Sequence, residues 1–106
     1  MPRDRLTDRV MKAESPIHGY GCFARVPFAA GELIGTYEGP EVREDGIYVL
    51  WVYDAEAEVL IARRGLNLLR WLNHSDDANA EFDAFRLFAR RAIQAGEEIT
   101  IHYGAG

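Results

Sequence analysis

The stretch RWLNHSDDANAEF, Arg70 to Phe82, decides how this chain is read. Six of the seven residues from Asn73 to Asn79 carry a side chain that hydrogen-bonds. They follow an apolar approach in which Leu66, Leu69 and Leu72 recur at helical spacing, which predicts one or two helical turns. Polar runs of this kind make ordinary surface loops closed by Asx turns. This run, however, ends directly at a strand-like segment, Ala80–Phe82. A polar loop held between two core-like segments is expected to be pinned rather than loose.

Working outward, Ala80–Phe82 and Phe85–Ala89 read as a hairpin around Asp83-Ala84. Glu97–Tyr103 alternates, with Ile99, Ile101 and Tyr103 on one face and Glu98, Thr100 and His102 on the other. That places Tyr103 with the core, either as a packed tyrosine with a satisfied hydroxyl or as one whose hydroxyl reaches a pocket. Periodicity does not separate the two. Upstream, Tyr48–Tyr53 is a strong strand signal, paired with Val59–Ala62 across Asp54–Ala57. Leu33–Tyr37 ends at Gly39-Pro40, and Cys22–Val26 ends at Pro27. Arg9–Lys12 reads as a first short strand, followed by a loop from Ser15 to Gly21.

The expected fold is therefore mostly β, six to eight short strands in one domain spanning residues 1–106, with little helix. Long crossover helices, which a parallel sheet requires, are not indicated. Ten Gly and four Pro agree with a turn-rich chain.

The formal net charge is −5, from 17 acidic and 12 basic residues. This argues against nucleic acid as a direct partner; it is compatible with a Lys/Arg-rich protein or peptide, or serves only to keep the chain soluble. Cys22 stands alone, so no intrachain disulfide forms and a reducing, intracellular compartment is expected, cytoplasmic or, in a eukaryote, nuclear. The segment MPRDRLTDRV is too polar for a signal peptide, and no apolar run approaches the roughly 20 residues of a membrane span.

Three motifs invite chemistry. His18-Gly19-Tyr20-Gly21 contains a G-x-G, which serves a plain turn or a backbone that a ligand approaches closely. Without a third glycine and a following helix it is no dinucleotide fingerprint. Cys22, His18, His74 and His102 lack the close pairing of zinc ligands, so no metal site is expected. His74-Ser75-Asp76 cannot form a hydrolase triad, because consecutive side chains do not converge.

Taken in order, the pieces resemble the SET-domain family of S-adenosylmethionine-dependent lysine methyltransferases. Ser15-Pro16-Ile17-His18-Gly19-Tyr20-Gly21-Cys22-Phe23-Ala24 is similar to the family's opening segment. Phe28-Ala29-Ala30-Gly31-Glu32-Leu33-Ile34 follows its I-x-x-G-E-x-I pattern. Arg70-Trp71-Leu72-Asn73-His74-Ser75 resembles R-F-x-N-H-S, and Asn79 takes the last position of N-H-S-C-x-P-N. Gly96-Glu97-Glu98-Ile99-Thr100-Ile101-His102-Tyr103-Gly104 resembles the G-E-E-L-x-x-x-Y-G ending.

The resemblance implies a β-clip-like SET fold of several short sheets with a C-terminal pseudoknot. It implies that Gly19, Tyr20, Gly21, Arg70, Trp71, Asn73, His74 and Tyr103 hold S-adenosyl-L-methionine, with Asn73 at the methionine end and the His74 backbone at the adenine. It makes Tyr103 the catalytic tyrosine and Tyr37 a second tyrosine of the lysine channel. Ile101 falls where other members carry the Phe or Tyr that limits the number of methyl groups.

The chain departs from the pattern too. Asp76, Asp77 and Ala78 replace the usual Cys and Pro, and His102 stands where Asp is common. The sequence ends three residues after Tyr103, without a cysteine-rich closing segment, and Tyr48–Leu60 would be a very short insert. The substrate channel is accordingly expected to stand open or to be completed by a second subunit. The homodimer is the favoured case, with Tyr48–Tyr53 as the contact. The competing reading is a SET-fold module that binds cofactor or peptide without turnover, or acts only inside an assembly.

Overall fold

The computed structural model describes residues 5–103. Gly104, the last residue of the resemblance, lies outside them. Among the described residues a helical turn, α1 (Leu6–Arg9), leads into ten short strands. These are β1 (Val10–Glu14), β2 (Tyr20–Ala24), β3 (Leu33–Thr36), β4 (Glu41–Val42), β5 (Val49–Asp54), β6 (Val59–Arg64), β7 (Asn73–His74), β8 (Ala80–Asp83), β9 (Arg86–Ala89) and β10 (Glu98–Ile101). They form three small sheets, ordered β1-β2-β10-β7, β3-β9-β8 and β4-β6-β5. No described helix is long and apolar enough to cross a membrane.

Local chemistry sets the hairpins. β5 and β6 pair antiparallel from Val49↔Arg64 to Asp54↔Val59. The Asp54 carboxylate closes the turn by accepting from the Glu56 and Ala57 amides at 3.0 and 3.2 Å. β8 and β9 turn at Ala84, whose φ of 55° lies in the left-handed region. The sheets bury one core that includes Val10, Cys22, Phe28, Ile34, Leu69, Leu87, Ile93 and Ile99.

β10 is the centre of the arrangement. On one side it runs antiparallel to β2, with Ile99 opposite Cys22. On the other it runs parallel to β7, with Thr100 opposite Asn73 and Ile101 opposite His74. The loop after β7 then reaches β10 a second time through Asn79. Its Oδ1 accepts from the Thr100 amide at 2.9 Å, and its Nδ2 donates to the Glu98 carbonyl at 2.8 Å. The Asn79 amide donates to Thr100 Oγ1, and the Ser75 amide to the Ile101 carbonyl. Both ends of the 73–79 loop therefore grip one strand. This is the pinned loop and the C-terminal pseudoknot expected from the sequence.

The structure moves several boundaries. Residues 6–9 take a helical turn, so the first strand starts at Val10. The Leu66/Leu69/Leu72 spacing yields only a 3₁₀ turn, Leu68–Trp71. Leu69 and Leu72 are buried, but Leu66 is 59% exposed, its amide spent on the Glu38 carbonyl. Tyr48 lies outside β5 with φ 64°. The alternation expected over residues 97–103 also fails within β10 and beyond its end. Thr100 is buried under the Asn79 loop, and Tyr103, expected on the core face, is 63% exposed.

Asn79 is 2% exposed, and its removal would strand a buried N–H and a buried carbonyl. Asn79→Ala is expected to cost about 2–4 kcal/mol in urea denaturation. Asp77→Ala, on the exposed side of the same loop, should leave the midpoint in place.

Candidate active site

Asn73 is buried because β7 is locked to β10. Its Nδ2 donates to the carbonyls of His18 and Tyr20 at 3.0 Å each and faces Glu98 Oε2 at 3.1 Å. The Glu98 carboxylate also accepts from the Ser15 hydroxyl at 2.9 Å. One amide thus fastens the G-x-G loop to the pinned strand. Its Oδ1 makes no hydrogen bond among the described residues.

The two glycines have different reasons. A Cβ on Gly21 would collide with the Glu98 carboxylate, so this position is small for the sake of the Asn73–Glu98 contact. Gly19 has φ 47° and nothing within 4 Å of where its Cβ would stand. The open approach expected over Gly19–Gly21 is therefore found at Gly19 and filled at Gly21. Glu98 was not among the expected site residues. Its strand position sets it apart from Ile99, but nothing in the sequence pairs it with Ser15, 83 residues away.

Tyr103 lies across the backbone of residues 72–74. Its hydroxyl donates to the Leu72 carbonyl at 2.6 Å, and its amide donates to His74 Nδ1 at 3.0 Å. Burial of the hydroxyl end pushes its pKa up, with the Cys22 sulfur adding to the effect. Tyr37 is buried from the other side, edge-on to Phe82 at 5.7 Å, and its hydroxyl donates to the Tyr48 carbonyl at 2.5 Å. Burial raises its pKa to about 12, opposed by the Gly65 backbone and assisted by the Tyr103 hydroxyl. Both tyrosines line one cleft of about 1090 Å³, together with Tyr48, Phe82, Ile101 and Arg70.

Trp71 forms the adjoining wall. Its indole stands edge-on to Tyr20 at 5.9 Å and to Tyr48 at 5.6 Å. The Arg70 guanidinium lies 5.0 Å from the indole centroid, and Lys12 Nζ lies 4.1 Å from it. Arg70 Nε is buried with no hydrogen-bond partner among the described residues. Arg70 also lines a second cleft of about 870 Å³ between α1, β3 and the 3₁₀ turn.

His74, Asp76 and His102 come together, with one potential ligand atom from each within 4.8 Å of the others. Their spacing did not disclose this. The hydrogen bonds count against a cation here. His74 Nδ1 accepts from an amide, so a neutral ring carries its proton on Nε2, which donates to Asp76 Oδ1 at 2.9 Å. A protonated nitrogen offers no lone pair to a metal.

The expected residues thus form two neighbouring groups. Gly19, Tyr20, Gly21, Asn73 and His74 gather around the pinned loop, with Trp71 against Tyr20. Tyr37 and Tyr103 face the large cleft, and Arg70 and the Leu72 backbone adjoin both. A free carbonyl oxygen on Asn73, an open face at Gly19, two aromatic walls and an unsatisfied guanidinium nitrogen fit a ligand carrying an ammonium, a carboxylate and an aromatic base.

This fold and site define a small β domain with a ligand loop on one side of a strand and a tyrosine-lined cleft on the other. Residues 19–104 match the SET domain, and the chain belongs to that family. It is similar to the "Histone-lysine N-methyltransferase, H3 lysine-4 specific" of Mycosarcoma maydis, at 29% identity over 86% of this chain and 8% of that protein. "Histone-lysine N-methyltransferase MEDEA" of Arabidopsis thaliana is also 29% identical, over 92% of this chain and 17% of its own length. Among solved structures, the polycomb repressive complex 2 of Chaetomium thermophilum superposes with a TM-score of 0.75 at 23% identity, covering 92% of this chain and 15% of that one, a likeness of fold. A ctPRC2 structure "in an autoinhibited conformation bound to S-adenosylmethionine" gives 0.74 at 25% identity, covering 91% and 15%. The chain spans less than a fifth of the length of these relatives.

Cys22 is buried in the core, its thiol donating to the Leu68 carbonyl at 2.9 Å, and burial lifts its pKa from 9.0 to about 12. Tyr37 rises from 10.0 to about 12. Folding holds both protons more tightly, so their contribution to stability is complete below about pH 9 and is lost as pH rises toward 12. The urea midpoint should hold up to about pH 9 and then fall, with Cys22 resisting a thiol reagent at pH 8 until the protein unfolds. A midpoint that climbed above pH 9 would contradict the assignment.

Proposed function

We propose that this chain is a protein-lysine N-methyltransferase that uses S-adenosyl-L-methionine and acts on a lysine in a basic protein or peptide. The observation that carries the reading is the meeting of two groups at the 72–74 backbone. Asn73 faces the glycine loop, and the Tyr103 hydroxyl, bonded to the carbonyl just before Asn73, faces the tyrosine cleft. In the proposed roles Asn73 Oδ1 accepts from the cofactor's ammonium, Gly19 leaves its backbone accessible, Tyr20 and Trp71 supply walls, and His74 offers backbone to the adenine. The bound cofactor supplies a methyl group activated by a sulfonium.

The chain's own residues do the rest. A lysine amine has a reference pKa of about 10.4 and is mostly protonated at neutral pH. A channel walled by Tyr37, Tyr48, Phe82 and Ile101 removes water from it, which lowers that pKa. Tyr103 remains neutral, and its proton is already spent on the Leu72 carbonyl. Its lone pairs are therefore the part of the hydroxyl free to accept an amine N–H and to aim the nitrogen. Fixed aim can account for a large share of the barrier, up to about 7–11 kcal/mol in favourable cases.

The net charge of −5 suits a Lys/Arg-rich, histone-like substrate, in line with the names of the relatives, rather than nucleic acid. A lone reduced thiol suits an intracellular compartment, cytoplasmic or nuclear. The exposed side chains of Trp51, Tyr53, Val59 and Leu60 on β5 and β6 suit a homodimer contact beside the cleft. The exposure of Tyr103 is the observation that favours the rival, a binding module without turnover.

Labelled cofactor with a panel of basic proteins separates the two readings. Tyr103→Phe is expected to lower methyl transfer by about 100-fold or more while leaving cofactor affinity within about threefold. Equal rates in both proteins would remove the catalytic assignment, and cofactor binding with no transfer to any substrate would leave the module.

A further inference from the structure

The cleft of about 870 Å³ between α1, β3 and the 3₁₀ turn has no part in the reaction proposed above. Of the expected site residues only Arg70 and Trp71 touch it. Yet features that the proposed reaction does not use gather there. Among the described residues, Asn67 Oδ1 and Arg70 Nε are the two buried side-chain polar atoms without a hydrogen-bond partner, and both residues line this cleft. They sit on one turn, where the Arg70 amide donates to the Asn67 carbonyl at 3.2 Å. The Asn67 carboxamide has a fixed sense, because its Nδ2 donates to the Thr36 carbonyl at 2.8 Å and leaves Oδ1 as the free end. One wall of the cleft thus carries an unmet acceptor and an unmet donor, and such buried groups cost free energy until something pairs them.

The rest of the lining is apolar and positive. Leu33 and Leu66 are both exposed on it. Leu66 is the residue whose helical spacing predicts a place in the core. The charged residues of the lining are Arg5, Arg9 and Arg70 against Glu38 alone. Arg9 is turned to Glu32 at 2.6 Å, which leaves Arg5 and Arg70 for an incoming group. In a chain of net charge −5 this is a locally positive, leucine-rimmed groove.

We infer that this cleft docks an extended peptide segment of a partner protein, one that alternates apolar and acidic residues. A peptide unit presents an N–H and a carbonyl together, the pair that Asn67 Oδ1 and Arg70 Nε lack. Apolar side chains of the segment cover Leu33 and Leu66, and its carboxylates meet the guanidinium groups of Arg5 and Arg70. A small anion would satisfy the arginines but leave Asn67 Oδ1 and the leucines uncovered. Both unpartnered atoms are closed to solvent, so docking includes a rotamer change that brings Arg70 Nε to the surface. The inference stands apart from the methyl-transfer reading, and neither depends on the other.

The test titrates the isotope-labelled full chain with a short synthetic peptide alternating Leu and Glu, and with its Leu/Lys counterpart. The Leu/Glu peptide is expected to saturate below about 1 mM and to shift the Arg70 Nε–H, the Asn67 side-chain amide and the Leu33 backbone resonances. The Leu/Lys peptide should bind about tenfold more weakly or worse. Arg5→Glu and Leu66→Asp, both at exposed positions, should each weaken the Leu/Glu peptide about tenfold without moving the urea midpoint. Arg43→Glu, the same charge reversal outside the lining, should change it less than about twofold. Shifts that fall instead on the Tyr37–Tyr103 cleft, equal losses in Arg5→Glu and Arg43→Glu, or binding that Arg5→Glu and Leu66→Asp leave intact would overturn the assignment. So would a Leu/Glu peptide that does not saturate, or free glutamate that reproduces the Arg70 shift by itself. A dimer that Leu66→Asp dissolves would put a second copy in the cleft and would overturn it as well.

Discussion

The hold of the 73–79 loop on β10 is the constraint on which the rest depends. A two-residue parallel pairing, β7 with β10, is too short to be stable by itself. It persists because Asn79 supplies the missing strand partner, its amide group copying a backbone peptide against Thr100 N–H and the Glu98 carbonyl. Three site positions follow from that lock. Glu98 is held toward Ser15 and Asn73, Ile99 is buried against Cys22, and Tyr103 is delivered onto the Leu72 carbonyl. Buried polar groups are costly when unpaired, so the loop is either fully bonded or not formed. That all-or-none character is what a precise site requires.

A second lock sets the cleft. Tyr48 holds a left-handed conformation that costs an aromatic residue on the order of 1–3 kcal/mol. Its carbonyl repays this by accepting from both the Tyr37 hydroxyl and the Gly65 amide. Gly65 has no side chain because the Tyr37 ring occupies the space a Cβ would fill. Tyr37 is thereby fixed at the back of the cleft while the Tyr48 ring turns toward Trp71. One strained residue joins the channel wall to the ligand wall.

What could be read from the residues follows the range of the forces involved. The Tyr48–Tyr53 run, the two hairpins and the Glu97–Tyr103 strand are local patterns, and all appear in the structure within a residue or two. The polar loop declared itself because polar side chains between apolar segments must find partners. Its partners could not be named, since Asn79 with Glu98 and Asn73 with His18 are long-range meetings that periodicity does not encode. Alternation puts Tyr103 with the core, but it holds only along a strand, and β10 ends at Ile101. Glu98 is illegible for a similar reason: a charged residue on a short strand reads as solvated until the fold brings Ser15 and Asn73 to it.

Charge in this molecule works on two length scales. Beyond about 8–10 Å salt screens individual charges, and an approaching chain meets the net −5. Within about 4–6 Å only the nearest groups matter, and around Trp71 those are Lys12 and Arg70. Under the proposed function, an acidic surface attracts a basic substrate while Lys12 and Arg70, neither in an ion pair among the described residues, keep positive charge beside Trp71. In the proposed reaction the same separation bears on the substrate lysine. Its ammonium is favoured at the acidic surface and disfavoured once inside the aromatic channel, near the cations of the adjoining wall. Proton loss is thus promoted by the last few ångströms of entry rather than by the protein's overall charge.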